Sequence, residues 1–237
     1  WKTFFLASLI VFIPFALILK QPDLGTALIL CPIALVIYYL GGIKRKIVIA
    51  LSSCAILLFS FILLVFLGIL SHEEMRPFFT KFMKEYQYER LNPNTYHQKA
   101  GQTAIALGQI TGSGYTKSSF TGHDWLPYAY TDSVFPAFTE EFGALGAFIL
   151  LSLFFGLIYF SFKVTAVARD EFGRLLASGI SVYIAMHVVI NIGMMCGFLP
   201  ITGVPLILVS YGGSSVLSTM IALGLLQSIY ARRFTFS

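Results

Sequence analysis

Charge is what this sequence has least of. Lys, Arg, Asp and Glu make up 11% of the 237 residues, against about 25% in a soluble globular domain. So few charges cannot cover a water-facing surface. Short alternating apolar segments are also lacking, which excludes a membrane barrel. Cysteine is sparse: Cys31, Cys54 and Cys196 each lie in an apolar run, and they imply no disulfide framework. Common catalytic signatures are missing. There is no GxSxG, no HExxH and no phosphate-binding glycine loop, and His72, His97 and His123 lack metal-ligand spacing. No internal repeat is visible, so the inverted-repeat signature of many transporters is absent. An initial Met is lacking too. The chain begins at Trp1 and reads as a fragment or a chain without its N-terminus. Its first apolar run has no small-residue cleavage site and does not read as a signal peptide.

What is present is hydrocarbon. Apolar residues reach 57%, gathered in runs near the ~20 residues that cross a bilayer as a helix. The sequence predicts an all-α polytopic integral membrane protein with six transmembrane helices, at about 3–19, 25–42, 46–70, 143–166, 174–198 and 206–230. The formal net charge of +5 reports topology and contact with membrane lipids, not nucleic acid. Lys2, Lys44–Lys46, Arg169 with Arg174, and Arg232–Arg233 fall on one side, which the positive-inside rule makes cytoplasmic. QPDLGT (21–26), LPITGVP (199–205) and a long loop at about 71–142 then face the other compartment. That loop is rich in aromatic residues. Within it, 75–91 reads as an amphipathic surface helix, 98–110 as a second helix or re-entrant segment, and ITGSGYTKSSFTG (110–122) as a true loop.

Carboxylates stand out against this background. Asp132, after Thr131, sits where a helix would start. Two readings fit it: an N-cap for orphan N–H groups, or a general base or metal ligand at the membrane rim. Glu140 and Glu141 fall inside an apolar segment, where an ionisable group is costly and marks a functional site by default. On one continuous helix Glu140 would lie about 80° around from Asp132 and roughly 12 Å along the axis. Pairing with a polar group on a neighbouring helix is the other reading of the two glutamates. In QPDLGT, Pro22 ends one helix and Asp23 can cap the next. In SYGGSS, Ser210, Tyr211 and Ser214 belong to a polar, small-residue stretch inside an expected span. Such a stretch serves either a buried or wet backbone break or tight helix packing.

Several motifs occur together and in order: QPDLGT, YQYER-LNP (86–93), QTAIALG (102–108), LPYAYTD (126–132), EEFGALG (140–146), and NIGM followed by LPITGVPLILVSYGGSS (191–215). In this the chain resembles the SEDS family (shape, elongation, division and sporulation), closest to its rod-shape elongation members. The resemblance implies a ten-span fold of which this chain is the C-terminal part, with about four N-terminal spans missing. It also implies a peptidoglycan glycosyltransferase of the bacterial cytoplasmic membrane. Such an enzyme polymerises lipid II on the outer face, works with a class B penicillin-binding protein transpeptidase, and is aided by a divalent cation, Mg²⁺ or Mn²⁺. The family's essential aspartate maps onto Asp132, the implied catalytic residue and metal ligand. Arg90, Gln102, Glu140 and Glu141 match family positions, and Lys117 could stand in for a lysine of the family's glycine loop. Positive charge from a metal, Lys99, Lys117 or Arg90 would favour the leaving diphosphate. The family's usual LPE-x-HTD departs here to LPYAYTD, with Tyr128 for Glu and Tyr130 for His. Two other roles fit the same pattern: a flippase for the lipid-linked precursor, or a non-catalytic scaffold for the transpeptidase.

Overall fold

A computed structural model describes residues 2–21, 23–69, 76, 85–89, 92 and 94–234. Among these residues the structure is helical, with no strand. Its helices are α1 (Lys2–Lys20), α2 (Leu24–Leu40), α3 (Arg45–Phe66), α4 (Glu85–Glu89), α5 (Tyr96–Leu107), α6 (Ser119–Gly122), α7 (Val134–Val167), α8 (Glu171–Met195) and α9 (Gly213–Ala231), followed by a 3₁₀ turn at Arg232–Phe234. The helices Arg45–Phe66, Val134–Val167, Glu171–Met195 and Gly213–Phe234 are long and apolar enough to cross a membrane. Phe4–Lys20 and Gly25–Leu40 are apolar but shorter. The chain is an integral membrane protein. Of the amphipathic stretch expected at 75–91, α4 and Arg76 are described and the rest lies outside the described residues.

Two compact units divide the chain. The first comprises residues 1–57, 155–187 and 213–237. Its α1 and α2 meet around Ala34, Tyr38 and Val48, with Phe4, Ala7 and Val11 packed on them. Asp23 caps α2 as expected: its carboxylate accepts from the Thr26 N–H at 3.0 Å and from the Thr26 hydroxyl at 2.6 Å, while Pro22 lies outside the described residues. Elsewhere in this unit, Ser161 and Ser181 are buried. Their hydroxyls donate back to Leu157 and Ala177 carbonyls, each at 2.7 Å. Small hydroxyl residues thus pack inside apolar helices without leaving a polar group unpaired.

The second unit comprises residues 58–154 and 188–212 and, among its described residues, contains two interruptions of helix. The first is at Gly143, inside α7, where φ is 67° and ψ −169°. That conformation is essentially restricted to glycine. The expected span start at 143 is therefore a break within a longer helix that begins at Val134. A break leaves orphan carbonyls on one side and orphan N–H groups on the other. The loop after α5 supplies both sets of partners. Ser113 and Gly114 N–H donate to the Glu140 and Glu141 carbonyls at 2.9 and 3.0 Å. Ala144 and Leu145 N–H donate to the Gln109 and Ile110 carbonyls at 2.9 and 3.2 Å. Any Cβ at Gly112 would collide with the Glu141 carbonyl, so the approach requires glycine.

The second interruption is residues 196–212. The helix expected from 206 starts at Gly213, because 200–212 is irregular and Ser210 is engaged with other backbone (below). Gly143→Ala should lower the unfolding free energy by about 1–3 kcal/mol from backbone strain alone. Gly156 is helical with open space around it, so Gly156→Ala should be neutral or stabilising by up to ~1 kcal/mol. Thermal unfolding in detergent compares the two, and equal effects would contradict this account of the break.

Candidate active site

The segment before α7 is tightly folded. Tyr128 stands at φ 54°, a left-handed conformation costly for a tyrosine. Its carbonyl accepts from the Thr131 and Ser133 N–H groups at 3.0 and 3.2 Å. The Ser133 carbonyl accepts the first helical bond of α7, from Ala137 N–H at 3.3 Å. Ser133 therefore holds the N-cap position, and its hydroxyl meets His97 Nε2 at 2.7 Å. Asp132 lies one residue outside, so the helical-wheel relation between Asp132 and Glu140 does not apply. Among the described residues, the Asp132 carboxylate accepts from the Thr131 hydroxyl at 2.9 Å and from no helix N–H. Ser133 stands at the cap through its backbone carbonyl, with its hydroxyl on His97, so among the described residues neither the Asp132 nor the Ser133 side chain accepts from a helix N–H.

What holds Asp132 is its backbone. Asn191, fully buried on α8, donates from one side-chain amide to two carbonyls, Asp132 at 2.8 Å and Val204 at 2.7 Å. The neighbouring residues are clamped as well. Ser210 Oγ donates to the Thr131 carbonyl at 2.5 Å and accepts from Leu206 N–H at 2.8 Å. Tyr211 N–H donates to the Tyr130 carbonyl at 2.7 Å. Leu208, at φ 65°, makes the sharp turn that brings Ser210 back to Leu206. Gln98 on α5, also buried, donates to the Met194 and Leu199 carbonyls at 3.0 and 3.2 Å. The second helix interruption is thus tied by side-chain amides and a hydroxyl, and three consecutive carbonyls, 130 to 132, are fixed to it. Tyr128, Tyr130 and Tyr211 remain exposed beside this clamp, at 70%, 75% and 84%.

Glu140 has a different task. Its carboxylate, 1% exposed, accepts from Phe120 N–H at 2.8 Å, Thr121 N–H at 3.0 Å and the Thr121 hydroxyl at 2.6 Å. It anchors α6 to α7 through three hydrogen bonds to a buried carboxyl group. Glu141 accepts from Thr116 N–H at 3.2 Å. Lys117 is exposed on the same loop and lies along Gly114. Gln102 is exposed on α5, its amide against the backbone of Gly197. Ser214 is in the first turn of α9, in the other unit, where its carbonyl accepts from the Ser218 hydroxyl at 2.8 Å. Arg90 lies outside the described residues. Among the expected site residues, Thr131, Asp132, Ser210 and Tyr211 come together. Reading the sequence missed Asn191, Gln98 and His97. A signal for Asn191 was there, as an amide side chain inside an apolar run.

The donor set near Asp132 can be tested against a divalent cation. Among the described residues no group of three His, Cys, Asp or Glu could hold a metal alone. One carboxylate fits the kind of Mg²⁺ site that takes one or two carboxylates and completes its shell with water and substrate phosphates.

A polytopic helical membrane protein with a carboxylate clamped beside a helix interruption is the class that fold and site define. A profile of the FtsW, RodA and SpoVE family, described as cell cycle protein, matches residues 1–234. The chain belongs to this family. It is 32% identical to peptidoglycan glycosyltransferase MrdB of Escherichia coli over 96% of this chain and 60% of that protein. It is 35% identical to MrdB of Helicobacter pylori over 100% of this chain and 59% of that protein. It is 32% identical to peptidoglycan glycosyltransferase RodA of Treponema pallidum over 98% of this chain and 69% of that protein. Thus the chain spans about three fifths of the length of the two MrdB relatives. A solved structure described as the structural coordination of polymerization and crosslinking by a peptidoglycan synthase complex superposes with a TM-score of 0.70 at 28% identity, covering 98% of this chain and 62% of that one. A crystal structure of a mutant of Thermus thermophilus rod shape determining protein RodA gives 0.60 at 25% identity, covering 98% and 57%.

Asn191→Ala strands two buried carbonyls and should cost about 1–3 kcal/mol of unfolding free energy. Glu140→Gln puts an NH₂ or a weaker acceptor against three donors and should cost a comparable amount, about 2 kcal/mol. Unfolding in detergent measures both. Unchanged midpoints would mean that neither side chain ties the segments together.

Proposed function

We propose that this chain carries the polymerising site of a peptidoglycan glycosyltransferase acting on lipid II at the outer face of the bacterial cytoplasmic membrane, during cell elongation. The observation that carries this reading is Asp132: a carboxylate whose backbone is fixed by Asn191, whose neighbours are fixed by Ser210 and Tyr211, and which does not cap the adjacent helix. The names of the relatives support the reaction class.

Asp132 acts as general base. It takes the proton from the acceptor sugar's 4-hydroxyl as that oxygen attacks the donor's anomeric carbon. The bond from that carbon to the diphosphate oxygen breaks, and polyprenyl diphosphate leaves with the electron pair. Asp132 would also be the protein's ligand to Mg²⁺ or Mn²⁺, which would supply positive charge near the leaving diphosphate. Thr131 donates to the same carboxylate and orients it. Exposed Tyr128, Tyr130 and Tyr211 offer aromatic faces and hydroxyls to the sugars. The lipid tail stays in the bilayer while the sugars reach the site from water. A class B penicillin-binding protein is the partner that cross-links the strands, a pairing in keeping with the synthase complex that the fold matches. Of the two glutamates on which the flippase reading depends, Glu140 already accepts from three donors and Glu141 from one.

The test is polymerisation of purified lipid II by the full-length protein with its transpeptidase. Asp132→Asn keeps size and loses the base, so glycan synthesis should fall by about 10²–10⁴-fold, with the partner still bound. Equal polymer from both proteins would remove Asp132 from the chemistry.

A further inference from the structure

The hydroxyl of Ser133 has two possible uses. At the N-cap of α7, a serine side chain ordinarily accepts from the N–H of the second or third helical residue. The third here is Pro136, which has no N–H. The hydroxyl turns instead to Nε2 of His97, at 2.7 Å and 36 positions away in sequence. Ser133 is fully buried, so bulk water does not compete for that bond. The same imidazole lies against the Tyr128 ring, with centroids 5.6 Å apart. Tyr128 opens the turn that carries Asp132 and Ser133 closes it, since the Tyr128 carbonyl accepts from the Ser133 N–H at 3.2 Å. His97 therefore touches both ends of this turn. A tyrosine at φ 54° keeps that backbone only where its surroundings impose it, and the His97 ring is among them.

His97 has a firm support. It sits in the first turn of α5 beside Gln98, whose buried amide is tied to the Met194 and Leu199 carbonyls. On its other side the Tyr96 hydroxyl donates to the Trp125 carbonyl at 2.8 Å. Further along α5, Ala100 and Ala104 pack with Leu126. The Asp132 turn thus has ties of two kinds. Carbonyls 130 to 132 are bound by Tyr211, Ser210 and Asn191, and the side chains of Tyr128 and Ser133 meet His97. Asp132 shares a peptide plane with Ser133, so a shift of Ser133 swings the carboxylate. We infer, on the reading of Asp132 as general base, that His97 is a positioning residue for this reaction. Its hydrogen bond to Ser133 keeps the turn closed and sets where the Asp132 carboxylate meets the acceptor hydroxyl.

Polymerisation of lipid II by the full-length protein with its transpeptidase tests this, read as kcat and KM per folded molecule. His97→Phe keeps a ring against Tyr128 and removes the bond to Ser133. A misplacement of about 1 Å costs up to about 10²-fold in rate, so kcat should fall about 10- to 100-fold. KM should change by no more than about twofold, because the lost alignment is felt in the transition state. His97→Gln offers an amide nitrogen in place of Nε2 and should restore most of the rate. Ser133→Ala removes the other partner and should lower kcat by a similar factor. The His97→Phe, Ser133→Ala double variant should fall no further, since the same bond is lost in each. Unfolding midpoints in detergent accompany every rate. If His97→Phe does not fold, Ser133→Ala alone decides. Full rate in either folded variant would overturn the inference, as would multiplying losses in the double variant or a loss confined to KM. Lower stability with a normal rate per folded molecule would assign His97 to packing alone. Asp132→Asn is measured alongside. Polymer from it at the unaltered rate would remove the general base and this role of His97 together, whereas an inactive Asp132→Asn beside a fully active His97→Phe would remove the role of His97 alone.

Discussion

A backbone N–H or C=O without a partner in a water-poor interior costs several kcal/mol, and among the described residues of one compact unit helix is interrupted at Gly143 and at 196–212. Each interruption is accompanied by a dedicated set of partners. At Gly143 the partners are backbone, from the loop at 109–114. At 196–212 they include side chains: Gln98, Asn191 and Ser210. The site follows from this second solution. The amide that satisfies the Val204 carbonyl also satisfies Asp132's, and the hydroxyl that accepts from Leu206 also donates to Thr131. Repairing the interruption and placing the carboxylate are done by the same atoms.

This economy separates two kinds of acidic residue. Glu140 is buried and used up, each carboxylate oxygen accepting from the start of α6. Its contribution is stability and the placement of the loop after α5. Asp132, itself largely buried, is held through its carbonyl, and its carboxylate accepts from a neighbouring hydroxyl and not from the helix. Positioning by the main chain leaves the Asp132 side-chain oxygens out of the helix's own bonding, the arrangement that the proposed general base requires.

The helices were legible because hydrocarbon runs of the right length have few alternatives in a chain so poor in charge. The Asp23 turn was legible because its cap is local, with donor and acceptor three residues apart. The clamp was not, since its bonds join residues 59 and 79 positions apart, and no local pattern reports such pairs. Glu140 looked functional for the same reason: its partners stand 19 and 20 residues upstream, in a loop. Gly143 looked like the start of a span because the charged pair Glu140–Glu141 stands just before it and an unbroken apolar run follows. The polarity of SYGGSS did point to broken helix at membrane depth, but not to Ser210 as the residue that joins the break to Thr131.

The central claim is that Asp132 serves chemistry and not the helix beside it, and one variant separates the two. Asp132→Ala, in the full-length protein, is assayed for unfolding midpoint and for glycan made from lipid II per folded molecule. The account predicts an unfolding free energy within about 0.5 kcal/mol of the unaltered protein, since no cap is lost, and almost no polymer per folded molecule. A loss of about 0.5–2 kcal/mol typical of a removed N-cap, with normal polymer per folded molecule, would contradict it.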